Sequence, residues 1–314
     1  MNELSTRDTT ARGLPLVALS AALWGTDALF RRGLALELPA TTVVVYEHLI
    51  LALIMAPILL KIRWRELSPS DVWSLLLIGG GASALATGMF TASFRFDDPN
   101  APLLLQKLQP VIAIVAARIL LKEQLKPRFG LYAAVAIAAA WLITFPDPFD
   151  VRIEALTAGA LAAGAAALWA MGTVLGRRMS DRLTFVELTA ARFGIGLPFA
   201  FIFAMLVGQG HMGGLSIDAS DLMPLLLLAL VPGLLALLLY YRGLRRTPAS
   251  AATLAELAFP ASALLVNYLA FGATVTATQL VGVIVLSGTL VALSYAGRKD
   301  VEVVGIETPA TRRS

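Results

Sequence analysis

Ten long apolar segments, separated by short stretches that contain charge, proline or glycine, dominate this chain. They fall at about 14–33, 41–60, 72–93, 99–120, 127–146, 155–175, 184–207, 221–242, 249–271 and 276–296. A helix needs about 20 apolar residues to cross a hydrocarbon core of about 30 Å. Of the 314 residues, 58% are hydrophobic and 15% are charged. None of the segments alternates with the period of two that membrane β-strands require. We therefore predict an all-α integral membrane protein with ten transmembrane helices, numbered one to ten.

The distribution of lysine and arginine predicts the orientation. With the N-terminus inside, 19 cations fall on the inner side: Arg7, Arg12, Lys61, Arg63, Arg65, Arg118, Lys122, Lys126, Arg128, Arg177, Arg178, Arg182, Arg242, Arg245, Arg246, Arg298, Lys299, Arg312 and Arg313. The outer side has four, which are Arg31, Arg32, Arg95 and Arg152. By the positive-inside rule, both termini are expected in the cytoplasm and the protein in the bacterial inner membrane.

The two halves of the chain resemble each other. Matched pairs are Ala22-Leu23-Trp24 with Ala167-Leu168-Trp169, Arg31-Arg32 with Arg177-Arg178, Asp71 with Asp221, and Pro110 with Pro260. We predict a cytoplasmic tail at 1–13, five-helix repeats at 14–146 and 155–296, and a second cytoplasmic tail at 297–314. Because five is odd, the second repeat enters the membrane from the opposite side. Such inverted repeats are typical of secondary transporters, although some channels share them.

Several short motifs resemble one known family. These are Ala-Leu-Trp-Gly at 22–25, Leu-Gln-Pro at 108–110 followed by Lys122-Glu123, and Tyr-Tyr-Arg-Gly-Leu at 240–244. In order and spacing they are similar to the EamA family of the drug/metabolite transporter superfamily, and most similar to its YddG-type exporters of aromatic and other neutral amino acids. The resemblance implies a ten-helix basket with a central cavity lined by helices one, three, four, six, eight and nine.

The second repeat departs from this pattern at one place. Gly272-Ala273 stands where the first repeat has Lys122-Glu123. Glu123 is therefore expected to anchor a cytoplasmic loop rather than to serve transport.

Ionisable side chains within the apolar segments are the main candidates for a functional site. Each costs at least about 2.5 to 3.5 kcal/mol at membrane depth, so each must face protein or a water-filled cavity. The candidates are Asp27, Glu47, His48, Lys107, Arg192 and Glu256.

Two matched prolines predict locally opened helices. A proline inside a helix displaces the carbonyl of the residue four positions earlier, which here is Gln106 before Pro110 and Glu256 before Pro260. A freed carbonyl can bind an ammonium group at the membrane midplane. The alternative is that both prolines make only packing kinks.

Lys107 and Glu256 are candidates for direct substrate contact. Lys107 is suited to hold a carboxylate, and Glu256 to attract an ammonium group or take up a proton. Alternatively, they pair with each other or with Asp27 to hold the helices together.

Three further ionisable residues lie on helices that the resemblance places at the periphery. Glu47 and Arg192 occupy equivalent positions in helices two and seven, which favours a structural or gating ion pair. His48 titrates closest to neutral pH, so it is a candidate for proton coupling. A single histidine on an apolar helix is more often a structural hydrogen-bonding residue.

Aromatic side chains complete the candidate cavity. A ring can stack on a substrate ring or attract an ammonium group. The matched Trp24 and Trp169 are the strongest candidates. Tyr240 is a further candidate, with Tyr46 and Tyr241, but for all three the alternative is a place at the membrane interface, where tyrosine is common.

Together these features predict a secondary exporter of amino acids or similar small metabolites that works by alternating access. We expect no cofactor, since the chain lacks a Walker-type nucleotide motif. No metal site is expected either, because there is no cysteine and His48 and His211 are far apart in the sequence. The expected partners are the substrate and the lipid bilayer, without nucleic acid, and the expected state is a monomer that is not an enzyme. The alternatives are a passive uniporter or channel, or export of another solute such as a cationic drug or a sugar phosphate.

Overall fold

The protein is a succession of helices. Its structure is a computed structural model that describes residues 3–96, 99–120, 129–145, 147–150, 152–179, 182–207, 215–244 and 258–304. In these ranges the ten helices are α1 (Glu3–Gly25 and Asp27–Glu37), α2 (Ala40–Leu59), α3 (Pro69–Ser93), α4 (Asn100–Leu105, Gln106–Leu108 and Gln109–Leu120), α5 (Phe129–Thr144), α6 (Ile153–Met179), α7 (Phe185–Val207), α8 (Ala219–Leu228, Ala229–Leu235 and Ala236–Leu244), α9 (Ala258–Phe271) and α10 (Ala277–Val304). A short 3₁₀ turn at Trp64–Glu66 precedes α3. The predicted all-α fold is confirmed.

Five of these helices are long and apolar enough to cross a membrane by themselves: Ala40–Leu59, Pro69–Ser93, Ile153–Gly176, Phe185–Val207 and Ala219–Tyr240. Three shorter apolar helices accompany them: Gly130–Thr144, Ala258–Phe271 and Ala277–Ala292. The other two, α1 and α4, are interrupted near their centres. Both α1 and α10 extend beyond the predicted apolar segments, because helical hydrogen bonding can continue past the membrane surface.

The outer faces of the helices expose large apolar side chains. Examples, with their exposed fractions, are Leu53 at 65%, Leu206 at 72%, Leu269 at 72% and Ile284 at 62%. A soluble monomer rarely exposes such a continuous apolar surface to water. Lipid is the solvent that this surface requires.

Capping boxes start α3 and α8 at equivalent positions. The Ser68 backbone N–H donates to Asp71 Oδ2 at 3.0 Å, and the Asp218 backbone N–H donates to Asp221 Oδ2 at 2.9 Å. Such carboxylates satisfy N–H groups that have no partner within the helix. The matched aspartates that revealed the repeat therefore begin the same helix in each half.

Irregular turns also recur in both halves. A π-helical stretch occupies Leu77–Leu85 in α3, and another occupies Ala229–Leu235 in α8. When Asp71 is matched with Asp221, the two stretches overlap. π-helical turns in other proteins are frequently found at functional sites. Each repeat thus has a π-helical stretch in the equivalent helix, α3 in the first and α8 in the second.

Helix α4 is irregular just before Pro110, but the Gln106 carbonyl oxygen, which the proline pattern predicted to be free, accepts the Gln109 backbone N–H. A 3₁₀ turn at Gln106–Leu108 separates its two α-helical parts, just before Pro110. The matching prediction for helix nine falls partly outside the described residues, because Glu256 is not among them. Pro260 lies within α9 and is buried.

The contacts between the halves are reciprocal. Helix α1 packs against α8 and α9, and its counterpart α6 packs against α3 and α4. Helix α2 packs against its own counterpart α7, and α5 packs against α10. This exchange of equivalent contacts is what a pseudo-twofold axis between two inverted repeats produces.

Gly25 allows α1 to approach α9 closely. A Cβ atom at this position would overlap Ser262 Oγ and lie 2.8 Å from the Ala263 backbone nitrogen. We expect Gly25→Ala to destabilise the protein by about 1 to 3 kcal/mol, because backbone atoms cannot move aside as a side chain can. The measurement is the thermal unfolding midpoint in detergent.

Gly33 provides the matched control within α1. A Cβ atom there would have no heavy atom within 4 Å. Gly33→Ala should leave the unfolding midpoint unchanged or raise it, since alanine favours a helix by about 1 kcal/mol over glycine. Equal effects of the two substitutions would contradict the close approach.

Candidate functional site

The first part of the candidate site is a pair of rings from opposite halves of the chain. Trp24 of α1 and Tyr240 of α8 lie with their ring centroids 5.0 Å apart. Both side chains are half-buried. Close packing of α1 against α8 brings them together, although they are distant in the sequence.

A second ring contact involves the symmetry-matched tryptophan. The Trp169 ring of α6 meets the Phe90 ring of α3 edge-on, with centroids 5.2 Å apart. Phe90 is buried and also contacts Phe94 at 5.0 Å. Trp169 itself is half-buried. The two matched tryptophans therefore make the same kind of contact, each with an aromatic ring from a helix of the other repeat.

Lys107 lies in the 3₁₀ turn of α4. Its ammonium nitrogen is 4.3 Å from the centroid of the Phe259 ring of α9, which is a cation–π distance. Lys107 is half-buried and has a further interaction in the protein. Its predicted pairing with Glu256 involves a residue outside the described ranges.

The polar side chains beside Lys107 face α6. Gln109 Nε2 donates to Thr173 Oγ1 at 3.2 Å, and Thr173 lies one turn after Trp169. Gln106 is half-buried on the same 3₁₀ turn. The Thr173 hydroxyl in turn donates to the Trp169 carbonyl oxygen at 3.0 Å, so an amide and a hydroxyl lie one turn along α6 from Trp169.

Arg31 bridges Asp27 and Glu47, which are both candidates from the sequence. The charge distribution had assigned Arg31 to the outer loops. Arg31 is 3% exposed, and its guanidinium donates to Asp27 Oδ1 at 2.6 Å and to Glu47 Oε2 at 3.1 Å. It also donates to Thr91 Oγ1 at 2.7 Å. We call these four residues the Arg31 cluster.

Sequence reasoning missed Arg31 because it counted this residue as an outer-side cation. The missed signal was its spacing from Asp27. Residues four positions apart lie on the same helix face, so an aspartate inside an apolar helix predicts a partner there.

The predicted ion pair between Glu47 and Arg192 is not formed, since the Glu47 carboxylate binds Arg31. Arg192 donates to the Ala82 carbonyl oxygen at 2.8 Å and to Ser83 Oγ at 3.3 Å. Both acceptors lie in the π-helical stretch of α3. Arg192 thus links α7 to an irregular turn that needs hydrogen-bond donors.

His48 is held on both sides. Its Nδ1 lies 2.9 Å from the Val44 carbonyl oxygen, which can only accept, so Nδ1 carries the proton. Its Nε2 lies 2.8 Å from Ser83 Oγ, which also receives the Arg192 bond. These bonds fit a neutral imidazole with a structural role. They do not favour the proton-coupling role that its titration range suggested.

Metal binding finds no support in the described part of the chain, where no group of three or more His, Cys, Asp or Glu side chains could hold an ion. The sequence-predicted residues that do come together form two neighbouring sets. One is the ring set made by Trp24, Tyr240, Trp169 and Lys107 with their partners. The other is the Arg31 cluster.

The sequence profile of the EamA-like transporter family matches the chain twice, at residues 11–145 and 156–295. The chain belongs to this family. Its members are named as transporters, so the chain is a membrane transporter with the two-repeat architecture of the family. The two matches cover the two halves that the internal repeat predicted.

Individual relatives agree with this assignment. The chain is 28% identical over 298 residues to a protein named riboflavin transporter ImpX from Fusobacterium nucleatum subsp. nucleatum (strain ATCC 23726 / VPI 4351). That match covers 91% of this chain and 99% of the relative. A crystal structure of a protein with 18% identity superposes with a TM-score of 0.61, over 92% of this EamA chain and 99% of the other chain. This structural similarity shows only that the two proteins share a fold.

Proposed function

We propose that this protein carries a planar aromatic metabolite across the membrane, with riboflavin as the first candidate. The observation that carries the proposal is the ring set, in which aromatic rings from both repeats lie in contact near the 3₁₀ turn of α4. A flat heteroaromatic ring can stack on such a side chain, and stacking on an aromatic residue contributes about 1 to 3 kcal/mol for a nucleobase.

The polar groups near Trp169 suit the rest of such a molecule. Riboflavin has a chain of hydroxyl groups that can both donate and accept hydrogen bonds. Gln109 and Thr173 offer an amide and a hydroxyl within 3.2 Å of each other. The relative named as a riboflavin transporter matches over nearly its whole length, which supports this candidate over others.

Export of aromatic or other neutral amino acids is the second candidate. It is favoured by Lys107, whose ammonium group is suited to a substrate carboxylate that riboflavin lacks. Lys107→Met separates the two candidates. If an amino acid is the substrate, this substitution should strongly weaken transport of tryptophan. If riboflavin is the substrate, the substitution should have only a small effect on transport of riboflavin.

Alternating access is the mechanism that we propose for either substrate. The reciprocal packing of α1 with α8 and α9, and of α6 with α3 and α4, allows the two repeats to exchange roles. The site then faces one side of the membrane at a time. In this proposal the protein lies in the inner membrane with both termini in the cytoplasm, which reporter fusions at the two ends can test.

Counterflow in liposomes tests the proposed function directly. Purified protein is reconstituted into liposomes loaded with unlabelled riboflavin, and labelled riboflavin is added outside. We expect transient accumulation of label that saturates with concentration. A parallel set of liposomes uses tryptophan, and empty liposomes give the background.

The results distinguish carriers from channels. Linear, non-saturating flux without counterflow would indicate a channel or pore. Counterflow of tryptophan but not riboflavin would replace the first candidate by the second. Transport of a cationic drug or sugar phosphate instead of both would contradict the proposal.

A further inference from the structure

Every N–H donor of the Arg31 guanidinium is hydrogen-bonded within the Arg31 cluster. Arg31 has five N–H donors. They bind both oxygens of Asp27 at 2.6 and 3.0 Å, both oxygens of Glu47 at 3.1 and 3.3 Å, and Thr91 Oγ1 at 2.7 Å. One cation therefore serves two carboxylates, and it has no donor left for another group.

The Arg31 cluster has one cation and two carboxylates, and burial makes this imbalance of charge unfavourable. The side chains of Arg31, Asp27 and Glu47 are only 4%, 12% and 8% exposed. If both carboxylates were ionised, the cluster would carry one uncompensated negative charge in a medium of low dielectric constant. Such a charge is strongly unfavourable unless it is neutralised. One proton shared by the two carboxylates provides that neutralisation.

Three charged or titratable groups of the described residues are closest to the cluster in the chain or through shared contacts. Glu47 is followed by His48 on α2, which is bonded to Val44 and Ser83 and fits a neutral ring. Arg192 of α7 is bonded to the α3 backbone and to Ser83 beyond His48. Arg32 follows Arg31 on α1, and its guanidinium lies over the Phe271 ring of α9 at 5.0 Å. From α3, the cluster receives the uncharged Thr91.

The other repeat lacks the cluster. When Trp24 is matched with Trp169, Asp27 corresponds to Gly172 and Glu47 to Arg192, so neither carboxylate has a counterpart, and the matched Arg177-Arg178 pair lies one residue further along than Arg31-Arg32. A Cβ atom on Gly172 would overlap the Ala82 side chain, so α6 packs tightly without any charge there. The second repeat therefore folds without a carboxylate at either of the two equivalent positions. Ionisable residues within a membrane that the fold does not require are expected to have a function.

The cluster is connected to the ring set through Phe90. The Arg31 guanidinium carbon lies 5.5 Å from the Phe90 ring centroid, and the same ring contacts Trp169. Asp27 begins the second part of α1, directly after the break at Thr26 and three residues after Trp24. A change in the charge of the carboxylates thus acts on Arg31, whose guanidinium lies against the ring that contacts Trp169.

From these contacts we infer that Asp27 and Glu47, bridged by Arg31, form a proton-binding site that couples proton movement to substrate transport. One of the two carboxylates takes a proton from water on one side and releases it to water on the other, with only an O–H bond formed and broken. The inference rests on the proposed transport function, but the site itself can be tested without any substrate.

Infrared spectroscopy of the purified protein tests the proton site by itself. A protonated buried carboxyl group gives a carbonyl band that a carboxylate lacks. We expect this band in the wild-type protein at neutral pH, and its loss in Glu47→Gln or Asp27→Asn. Glu37→Gln is the matched control, because Glu37 ends the same part of α1 and is exposed. Absence of such a band from the wild type between pH 5 and 8 would overturn the inference.

Coupling is tested in liposomes with an imposed pH difference and the membrane potential clamped at zero. If one proton moves per substrate, one pH unit should give about a tenfold accumulation ratio, because each pH unit and each tenfold ratio correspond to the same free energy. In Glu47→Gln the ratio should fall to about one while counterflow persists at a reduced rate. Glu37→Gln should behave as the wild type does.

Two results in the same liposomes would overturn the coupling. One is counterflow in the wild type with an accumulation ratio that ignores the pH difference, which would leave the proposed transport function intact. The other is accumulation driven by a sodium gradient at equal pH, which would assign the buried charge to a metal cation. Failure of counterflow itself, with the infrared band present, would contradict the proposed substrate and not the proton site.

Discussion

Arg31→Met should lower the free energy of unfolding by about 3 to 5 kcal/mol. Removing one partner of a buried ion pair leaves the other charge without compensation, and this penalty exceeds the net contribution of the intact pair. Here two carboxylates, Asp27 and Glu47, would be left without the four hydrogen bonds that they receive from Arg31. Thermal and denaturant unfolding in detergent measure the loss.

A surface ion pair of the same protein serves as the matched control. Arg63 Nη1 lies 3.0 Å from Glu66 Oε1, which is close to the Arg31–Glu47 distance of 3.1 Å. The side chains of that surface pair are 80% and 62% exposed. Because exposed pairs contribute about 0 to 1 kcal/mol, Arg63→Met should have a small effect.

Neutralising the carboxylates should restore part of the lost stability. We expect the triple substitution Arg31→Met, Asp27→Asn, Glu47→Gln to be more stable than Arg31→Met alone, since it removes the uncompensated charges. If the triple variant is instead the least stable, the arginine contributes mainly through packing of its side chain. Equal stability of Arg31→Met and Arg63→Met would contradict the burial of the cluster.

The fold was predictable because its determinants are local in the sequence. Long apolar segments define the helices, and the matched Asp71 and Asp221 each begin a helix through a capping box. Pro110 marked the place where α4 is irregular but not its form, since the preceding turn is a 3₁₀ turn in which the Gln106 carbonyl accepts the Gln109 N–H. The π-helical stretches of α3 and α8 were not predicted. They depend on contacts with other helices, such as those from Arg192 to the backbone of α3.

The candidate site was predictable only in part. Internal symmetry identified Trp24 and Trp169, the cost of burying a charge in the membrane identified Lys107, and Tyr240 was a candidate as an aromatic residue. Their partners Phe90 and Phe259 look like ordinary apolar residues in the sequence. Arg31 was missed because it stands close to the end of an apolar segment. Its burial depends on packing of α1 against α2 and α3, which the sequence pattern does not show.

The pairing of charges could not be predicted from symmetry alone. Glu47 and Arg192 occupy equivalent positions in the two repeats, but symmetry does not require equivalent residues to touch. In the structure Glu47 faces the cluster on α1, and Arg192 faces the π-helical stretch of α3. One of two equivalent helix positions therefore holds a carboxylate that binds an arginine, and the other holds an arginine that binds a backbone carbonyl. Such differences make the two repeats functionally asymmetric.

Trp169→Ala should weaken binding of riboflavin by about 10- to 100-fold. A stacked aromatic side chain contributes about 1 to 3 kcal/mol to binding of a flat heteroaromatic ring. Each 1.4 kcal/mol corresponds to a tenfold change in the dissociation constant. Isothermal titration of the purified protein with riboflavin measures the change, and Trp169→Phe should retain most of the affinity because it keeps a ring at the same place.

A tryptophan elsewhere on the protein separates stacking from a general loss of aromatic surface. Trp73 on α3 is 66% exposed, and Trp73→Ala should leave the dissociation constant unchanged. Trp24→Ala should weaken binding as Trp169→Ala does, because Trp24 is its counterpart in the ring set and faces Tyr240. If Trp169→Ala binds riboflavin as tightly as the wild type does and its unfolding midpoint is unchanged, the Trp169 ring is not part of the substrate site. The binding surface would then have to be sought away from the ring set.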